Sequence, residues 1–306
     1  MRVTDWVRTN DTLFTLEKRL EKLSDYQKMM ATGKRINTPS DDPVGTGNAL
    51  HFRHRLARNA QHQRNIEDGL TYLSYTDGVL EGIGNLMNDA YAKAVQGDND
   101  ALTAEDREVL ANEVNQLLEE LLSSANTSYS GKYLFAGYNN DSVPFTAERD
   151  ANNMIISATA NPAGINGQIE REIGPGLRET INIGGEDLFQ PGGAGENNDL
   201  FQMLINLRDG LLNNDQEMIG NQIDNISGGV DQVSLQRSTI GARVNYFDRR
   251  LEQLQAAEVN LTESQAQWED MDVVEAAMLF EQEQAAYNAA LAAAGQVLQM
   301  SLLDYL

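Results

Sequence analysis

The chain has 306 residues, no cysteine and a formal net charge of -23, with 41% hydrophobic but only 7% aromatic residues. Lack of cysteine excludes disulfide scaffolds, thiol catalysis and cysteine zinc sites, and so acidic a surface repels phosphate backbones and anionic bilayers, so nucleic-acid and membrane partners are not expected. The length suggests two or three domains, and the lean aromatic content suits long helices with narrow apolar seams.

No run of about 18 apolar residues is present, so no membrane span is expected. The N-terminal stretch MRVTDWVRTNDTLF lacks the apolar centre of a secretory signal. Ordinary rules therefore place the chain in the cytosol unless it is exported without a cleaved signal.

The first helix is expected from about Thr4 to Ala31. Trp6, Leu13 and Leu20 recur every seven residues, and Leu16, Leu23 and Met30 form the second row of the same heptad. Gly33 stands where a helix C-terminus prefers glycine. After a polar link, Asp42 occupies an N-cap position, Pro43 the first helical position, and Asp41 adds negative charge near the helix start. The second helix is expected from Val44 to about Ala94, with Phe52, Ile66, Leu73, Leu80 and Met87 in heptad register. Such a helix would extend roughly 75 Å.

Gly97-Asp98-Asn99-Asp100 breaks the pattern. Thr103 and Asp106 resemble a capping box opening a third helix that fades near Asn126 to Ser128. Between Ser130 and Asn198 glycine and proline become frequent, and short β-prone runs appear at Lys132–Ala136, Met154–Ala158, Gln168–Ile173 and Thr180–Ile183. Helix resumes with the Leu200, Leu204, Leu207, Leu211 stripe, continues over about Met218 to Glu263, and ends with an alanine-rich helix from Val273 to Leu303. In that last helix Val273, Phe280, Tyr287 and Ala294 make one heptad row, and Ala277, Leu291, Leu298 and Tyr305 the other.

The reading is a mainly α chain with a small β-rich insert. Its expected domains are a terminal coiled coil of residues 1–40 plus 265–306, a helical rod of 41–129 plus 200–264, and the insert at 130–199. Residues 1–64 hold 12 basic and 7 acidic side chains, whereas 251–306 hold 10 acidic and no basic ones, so the two ends are expected to pair. Lys18, Arg19 and Lys22 are the expected pairing cations, and Arg53, Arg55 and Arg58 are expected to point outward. Periodicity leaves open whether the terminal seam closes within one chain or between copies.

Thr32-Gly33-Lys34-Arg35-Ile36-Asn37 followed by Ser40-Asp41-Asp42-Pro43 resembles the N-terminal signature of the flagellin superfamily. Asn59, Gln63, Asn65, Asp68-Gly69 and Leu73 resemble the stretch that follows it. Asp272, Ala276-Ala277, Gln284, the Ala289–Ala294 run and the closing Ser301-Leu302-Leu303-Asp304-Tyr305-Leu306 resemble the C-terminal signature. Pro43 after the aspartates, and Gly131-Lys132-Tyr133-Leu134-Phe135-Ala136-Gly137-Tyr138 leading to Pro144-Phe145, are similar to the hook–filament junction branch rather than to filament flagellins. The resemblance implies an extracellular structural subunit, exported unfolded through the flagellar type III apparatus. Implied partners are identical subunits in a ring, hook-associated protein 1, flagellin and an export chaperone. A small filament flagellin is the alternative, and an enzyme carried in the insert a remote one.

Chemistry-bearing motifs are weak. His51, His54 and His62 sit among Arg53, Arg55 and Arg58, which oppose a cation. Gly33-Lys34 and Gly131-Lys132 lack the remainder of a phosphate loop, and Gly192-Gly193-Ala194-Gly195 lacks a strand-to-helix setting. Glu186, Asp187 and Asp199 lack the spacing of an EF-hand. No catalytic, cofactor or metal site is expected. The residues expected to carry function are the seam and signature residues named above.

Overall fold

The computed structural model describes residues 2–303, without the side chains of residues 2–5, 8 and 297–303. The expectations for Leu298, Tyr305 and the rest of the closing signature lie outside what is described. Contacts divide the chain into two compact units, Met1–Ala60 with Ala256–Leu306 and Gln61–Gln255. Among the described residues the chain is mainly α, with seven helices and three two-stranded antiparallel sheets.

Seven-residue apolar spacing decides the long helices. Helix α1 covers Arg2–Thr32, α2 Pro43–Gly97, α6 Gln216–Glu269 and α7 Val273–Leu303. In α2, Ile66, Leu73, Leu80, Met87 and Ala94 are buried. In α6, Ile219, Ile226, Val233, Ile240, Phe247, Leu254 and Leu261 form an unbroken heptad row, all buried. Sequence reading found the α2 row and passed over that of α6, although its signal is the more regular of the two.

The central unit also contains α3, Ala104–Ala125, and α5, Leu200–Leu212. The Thr103–Asp106 capping box is present: Thr103 Oγ1 accepts from the Asp106 amide (3.2 Å), and Asp106 accepts from the Thr103 amide (3.1 Å). Asp199 caps α5 by accepting from the Phe201 and Gln202 amides.

The 130–199 region holds its strands at other places than its sequence suggests, and Phe145–Arg149 was not expected as a strand. Strands β1 (Ser128–Tyr129) and β2 (Lys132–Tyr133) pair through a turn in which Ser130 and Gly131 both have positive φ. Strand β3 (Phe145–Arg149) pairs with β4 (Ile155–Ala160), and β5 (Glu170–Gly174) with β6 (Leu177–Thr180). The expected Lys132–Ala136 strand stops at Tyr133, because Leu134, Phe135 and Ala136 are all buried and leave no alternating face. The expected Thr180–Ile183 strand lies earlier. Its place is taken by Asn182, whose side chain donates to the Gly167 carbonyl and accepts from the Ile169 amide (2.8 and 2.7 Å). Helix α4, Gly185–Phe189, was not expected at all.

This region shares one continuous core with the helices around it. Phe135, Phe145, Phe189 and Phe201 meet ring to ring at centroid distances of 5.1 to 5.5 Å. They join the same buried cluster as Leu80, Leu118 and Leu204. Half-buried Tyr72 donates to the Leu134 carbonyl (3.0 Å), and burial pushes its phenol up to about 12.

Candidate assembly surface of the terminal unit

In the terminal unit α1 packs on α7. The row of α1 that faces α7 is the second heptad row: Leu23 is buried, and Leu16 and Met30 are half-buried. Trp6, Leu13 and Leu20 remain 70%, 53% and 55% exposed. On α7 the inward stripe is Ala276, Phe280, Glu283, Tyr287 and Ala294, while Val273 and Leu291 are exposed. Each helix thus buries one apolar row and leaves the other open.

The inward face of α7 alternates small Ala276 and Ala294 with half-buried Phe280 and Tyr287, which meet one row of α1 and leave the second row outside the contact. A cavity of about 220 Å³ remains between the helices, lined by Leu13, Leu16, Leu291, Ala294 and Gly295 among others. Ala276 was named from the sequence only as part of the C-terminal signature and not as a seam residue. The spacing of positions 276, 280, 283, 287 and 294 on one helix face would have shown it.

Among the described residues the charge asymmetry becomes specific contacts: Arg19 with Glu283, and Lys34 and Arg53 with Glu269. Arg19 Nη1 lies 2.9 Å from Glu283 Oε1. Lys18 instead covers the Phe14 ring, 5.1 Å from its centroid.

The signature link is a self-contained turn. Gly33 ends α1 with φ +71°, a conformation that favours glycine. Asp41 accepts from the Thr38 hydroxyl and from the Thr38 and Asn37 amides (2.7 and 2.9 Å), and these hydrogen bonds hold its carboxyl at about 2. Ser40 Oγ meets Thr38 Oγ1 at 2.9 Å, and Asn37 donates to the Lys34 carbonyl (2.9 Å). Asp42 Oδ1 accepts from the Gly45 amide (2.8 Å) as α2 begins at Pro43. A Cβ on Gly45 would stand 2.4 Å from Asp42 Oδ2 and 2.6 Å from Ile36 Cδ1, so glycine is needed for this packing. Asp41 therefore closes the link, two residues before α2 begins.

The link is fastened to the end of α6. The Arg35 amide donates to the Glu269 carbonyl (2.8 Å), the Met271 amide to the Gly33 carbonyl (3.2 Å), and the Arg35 guanidinium to the Trp268 carbonyl (3.0 Å). Glu269 is 2% exposed and accepts from Lys34, Gln265 and Arg53. Burial alone would raise its carboxyl, but the hydrogen bonds from Lys34, Gln265 and Arg53 outweigh that and hold it at about 2. Arg53 is exposed, as are Arg55 and Arg58, in line with the expectation, but its guanidinium reaches back to Glu269. Ala49 and Gly45, one and two helical turns before it, are buried.

His51 and His54 are exposed, whereas His62 is buried in the central unit with Nδ1 3.4 Å from the Glu172 carbonyl. Among the described residues no group of three His, Cys, Asp or Glu could hold a metal. Besides capping α5, Asp199 accepts from Gln190 and the Gly195 amide, and Glu186 accepts from Asn166.

Two sequence models match: the bacterial flagellin N-terminal helical region over residues 5–140, and the bacterial flagellin C-terminal helical region over residues 223–306. Flagellar hook-associated protein 3 of Escherichia coli is 29% identical over 58% of this chain and 56% of its own length. Its counterpart in Salmonella typhimurium is 27% identical over the same shares. The chain thus spans about half the length of these relatives. The solved flagellar junction protein FlgL of Legionella pneumophila has a similar fold, with TM-score 0.56 and 16% identity over 74% of this chain and all of that one.

Proposed function

The chain belongs to the flagellin superfamily, and from that premise we propose that it is a structural subunit of the bacterial flagellum, seated where hook meets filament. It has no enzymatic role in this reading. The terminal unit carries the argument. Trp6, Leu13, Leu20, Val273 and Leu291 are large apolar side chains that one chain leaves open to water. Exposed apolar side chains at helical spacing offer an interaction site, and identical subunits in a ring would cover them.

Residues 1–40 with 265–306 act in this reading as the inner coiled-coil layer, 41–129 with 200–264 as the next helical layer, and 130–199 as the outer insert. The seam residues Trp6, Leu13, Leu16, Leu20, Leu23, Met30, Val273, Phe280, Tyr287, Leu291 and Leu298 are the assembly residues. The signature Gly33, Lys34, Arg35, Asn37, Ser40, Asp41, Asp42 and Pro43 shapes the link that sets where α2 begins. Hook-associated protein 1 lies on one side and flagellin on the other. A dedicated chaperone and the type III apparatus deliver the unfolded chain without signal cleavage.

Immunogold labelling of intact flagella, with antibody raised against residues 138–190, tests the reading. Tyr138, Val143, Ile156 and Leu177 are exposed in that stretch, so it offers an epitope. One narrow band of gold at the hook–filament boundary is expected. Gold along the whole filament would make the chain a small flagellin instead, and absence of gold from flagella would overturn the proposal.

A further inference from the structure

Resting on the assembly reading above, we propose that the basic outer face of α2 in the terminal unit docks on the acidic turn between α6 and α7 of a second copy of this chain. Residues 43–64 contain four arginines and three histidines and no acidic side chain, within a chain of net charge -23. Gly45 and Ala49 occupy the inner side of the helix there, and exposed Arg53 is already paired with Glu269 of its own chain. His51, His54, Arg55 and Arg58 fall on the opposite side and are exposed. Among the described residues neither Arg55 nor Arg58 forms an ion pair.

The complementary patch is in the same unit. Asp270, Asp272 and Glu275 are exposed on the short turn where α6 gives way to α7, and residues 251–306 contain no Lys or Arg. Asp272 is engaged at the start of α7, accepting from the Val274 amide (2.8 Å), but Asp270 and Glu275 pair with no cation. The basic groups of the neighbouring link are committed elsewhere: Lys34 to Glu269, and Arg35 to Asp42 and the Trp268 carbonyl.

Each patch therefore lacks a counter-charge within its own chain, and the other patch supplies it. A two-fold pairing could match each basic face to the partner's acidic turn only by using both patches of both copies at once, which closes at a dimer; a head-to-tail contact uses one patch of each and repeats into the ring or helix that the assembly reading requires. A second copy brings its acids on a surface already shaped to assemble.

Because the chain has no cysteine, a site-directed cross-link is unambiguous. Cells whose own copy is deleted express Arg58→Cys and Glu275→Cys chains together, and their isolated flagella are treated with a short bismaleimide. A covalent dimer is expected from the mixture and from neither variant alone. Separately, Arg55→Glu/Arg58→Glu is expected to lower incorporation into flagella about tenfold, with recovery when Asp270→Lys/Glu275→Lys is added to the same chain. Chains that enter flagella without cross-linking, or a charge-swapped chain no better than the singly reversed one, would overturn the docking proposal and leave the assembly reading standing. Loss of binding to anionic vesicles with unchanged incorporation would assign the face to a lipid surface and overturn it too. If the unsubstituted chain is absent from isolated flagella, both readings fall.

Discussion

Arg53 on α2 and Glu269 in the last turn of α6 form a charge-assisted pair, with Arg53 Nε 3.2 Å from Glu269 Oε2. Lys34 and Gln265 complete the shell of a carboxylate that is almost fully buried. Because the folded state holds this carboxyl at about 2, against 4.5 for an ordinary glutamate, its contribution is full above pH 4.5. It is lost as pH falls from there toward 2. The depression corresponds to at most about 3 kcal/mol. Denaturant unfolding of wild type and Glu269→Gln should show a gap of this order at pH 7 that narrows below pH 4.5. A gap independent of pH would show that the carboxylate is not the source.

Charge reversals along the first sixty residues should rank by what each cation touches. Arg19→Glu removes a partly exposed pair with Glu283 and should cost about 0.5–1 kcal/mol. Lys22→Glu should stay within a few tenths, and Glu283→Arg should recover much of the Arg19→Glu loss in a double-mutant cycle. Arg53→Glu places a second negative charge beside a buried carboxylate, though from a half-exposed position, and should cost about 1.5–3 kcal/mol. Reversing Arg55 and Arg58 should leave the stability of the isolated chain unchanged. Thermal melts of the five variants decide the order, and equal losses at positions 53, 55 and 58 would refute it.

These rankings also show what the sequence could and could not convey. Seven-residue spacing placed the long helices because burial along a helix repeats with that period, and Thr103 and Asp42 marked helix starts because capping is local in sequence. Charge asymmetry indicated that α1 would meet α7. It could not choose Arg19 over Lys18, since that choice depends on where α7 puts Glu283. Glu269 was invisible for the same reason: its partners Lys34 and Arg53 lie more than two hundred residues away. The strands of the central region were blurred because β1 and β2 are two residues long and Asn182 replaces backbone pairing with its side chain.

Gly69 on α2 is held against the Phe247 ring of α6. A Cβ added to Gly69 would come 2.5 Å from Phe247 Cε1 and 3.3 Å from Ile181 Cγ2. Phe247 is fully buried and cannot withdraw cheaply. Helix propensity favours alanine over glycine by about 1 kcal/mol, yet Gly69→Ala should destabilise by about 1–3 kcal/mol through overpacking. Gly295→Ala in α7, where nothing lies within 4 Å, should instead stabilise by up to about 1 kcal/mol. Opposite shifts of melting temperature would confirm that packing sets the sign, and two stabilising shifts would sink the argument for Gly69.

The phenylalanine cluster predicts how the outer region should be probed. Phe189 has ring neighbours Phe135, Phe145 and Phe201 at 5.2, 5.1 and 5.5 Å. Phe189→Ala should therefore cost about 3–5 kcal/mol, measurable by denaturant unfolding together with loss of near-ultraviolet dichroism. Replacing residues 138–190 with a short linker would remove two of these rings. It would also strip buried Arg208 of the Ile155 carbonyl that it contacts at 2.7 Å, so loss of motility in such a variant would follow from unfolding of the central unit. Tyr138→Ala separates the two causes, because that side chain is exposed and should change stability by less than about 0.5 kcal/mol. A motility defect in Tyr138→Ala with an unchanged unfolding curve would assign the outer face a contact of its own. A large stability loss there would show that the core reaches further than the burial of its side chains indicates.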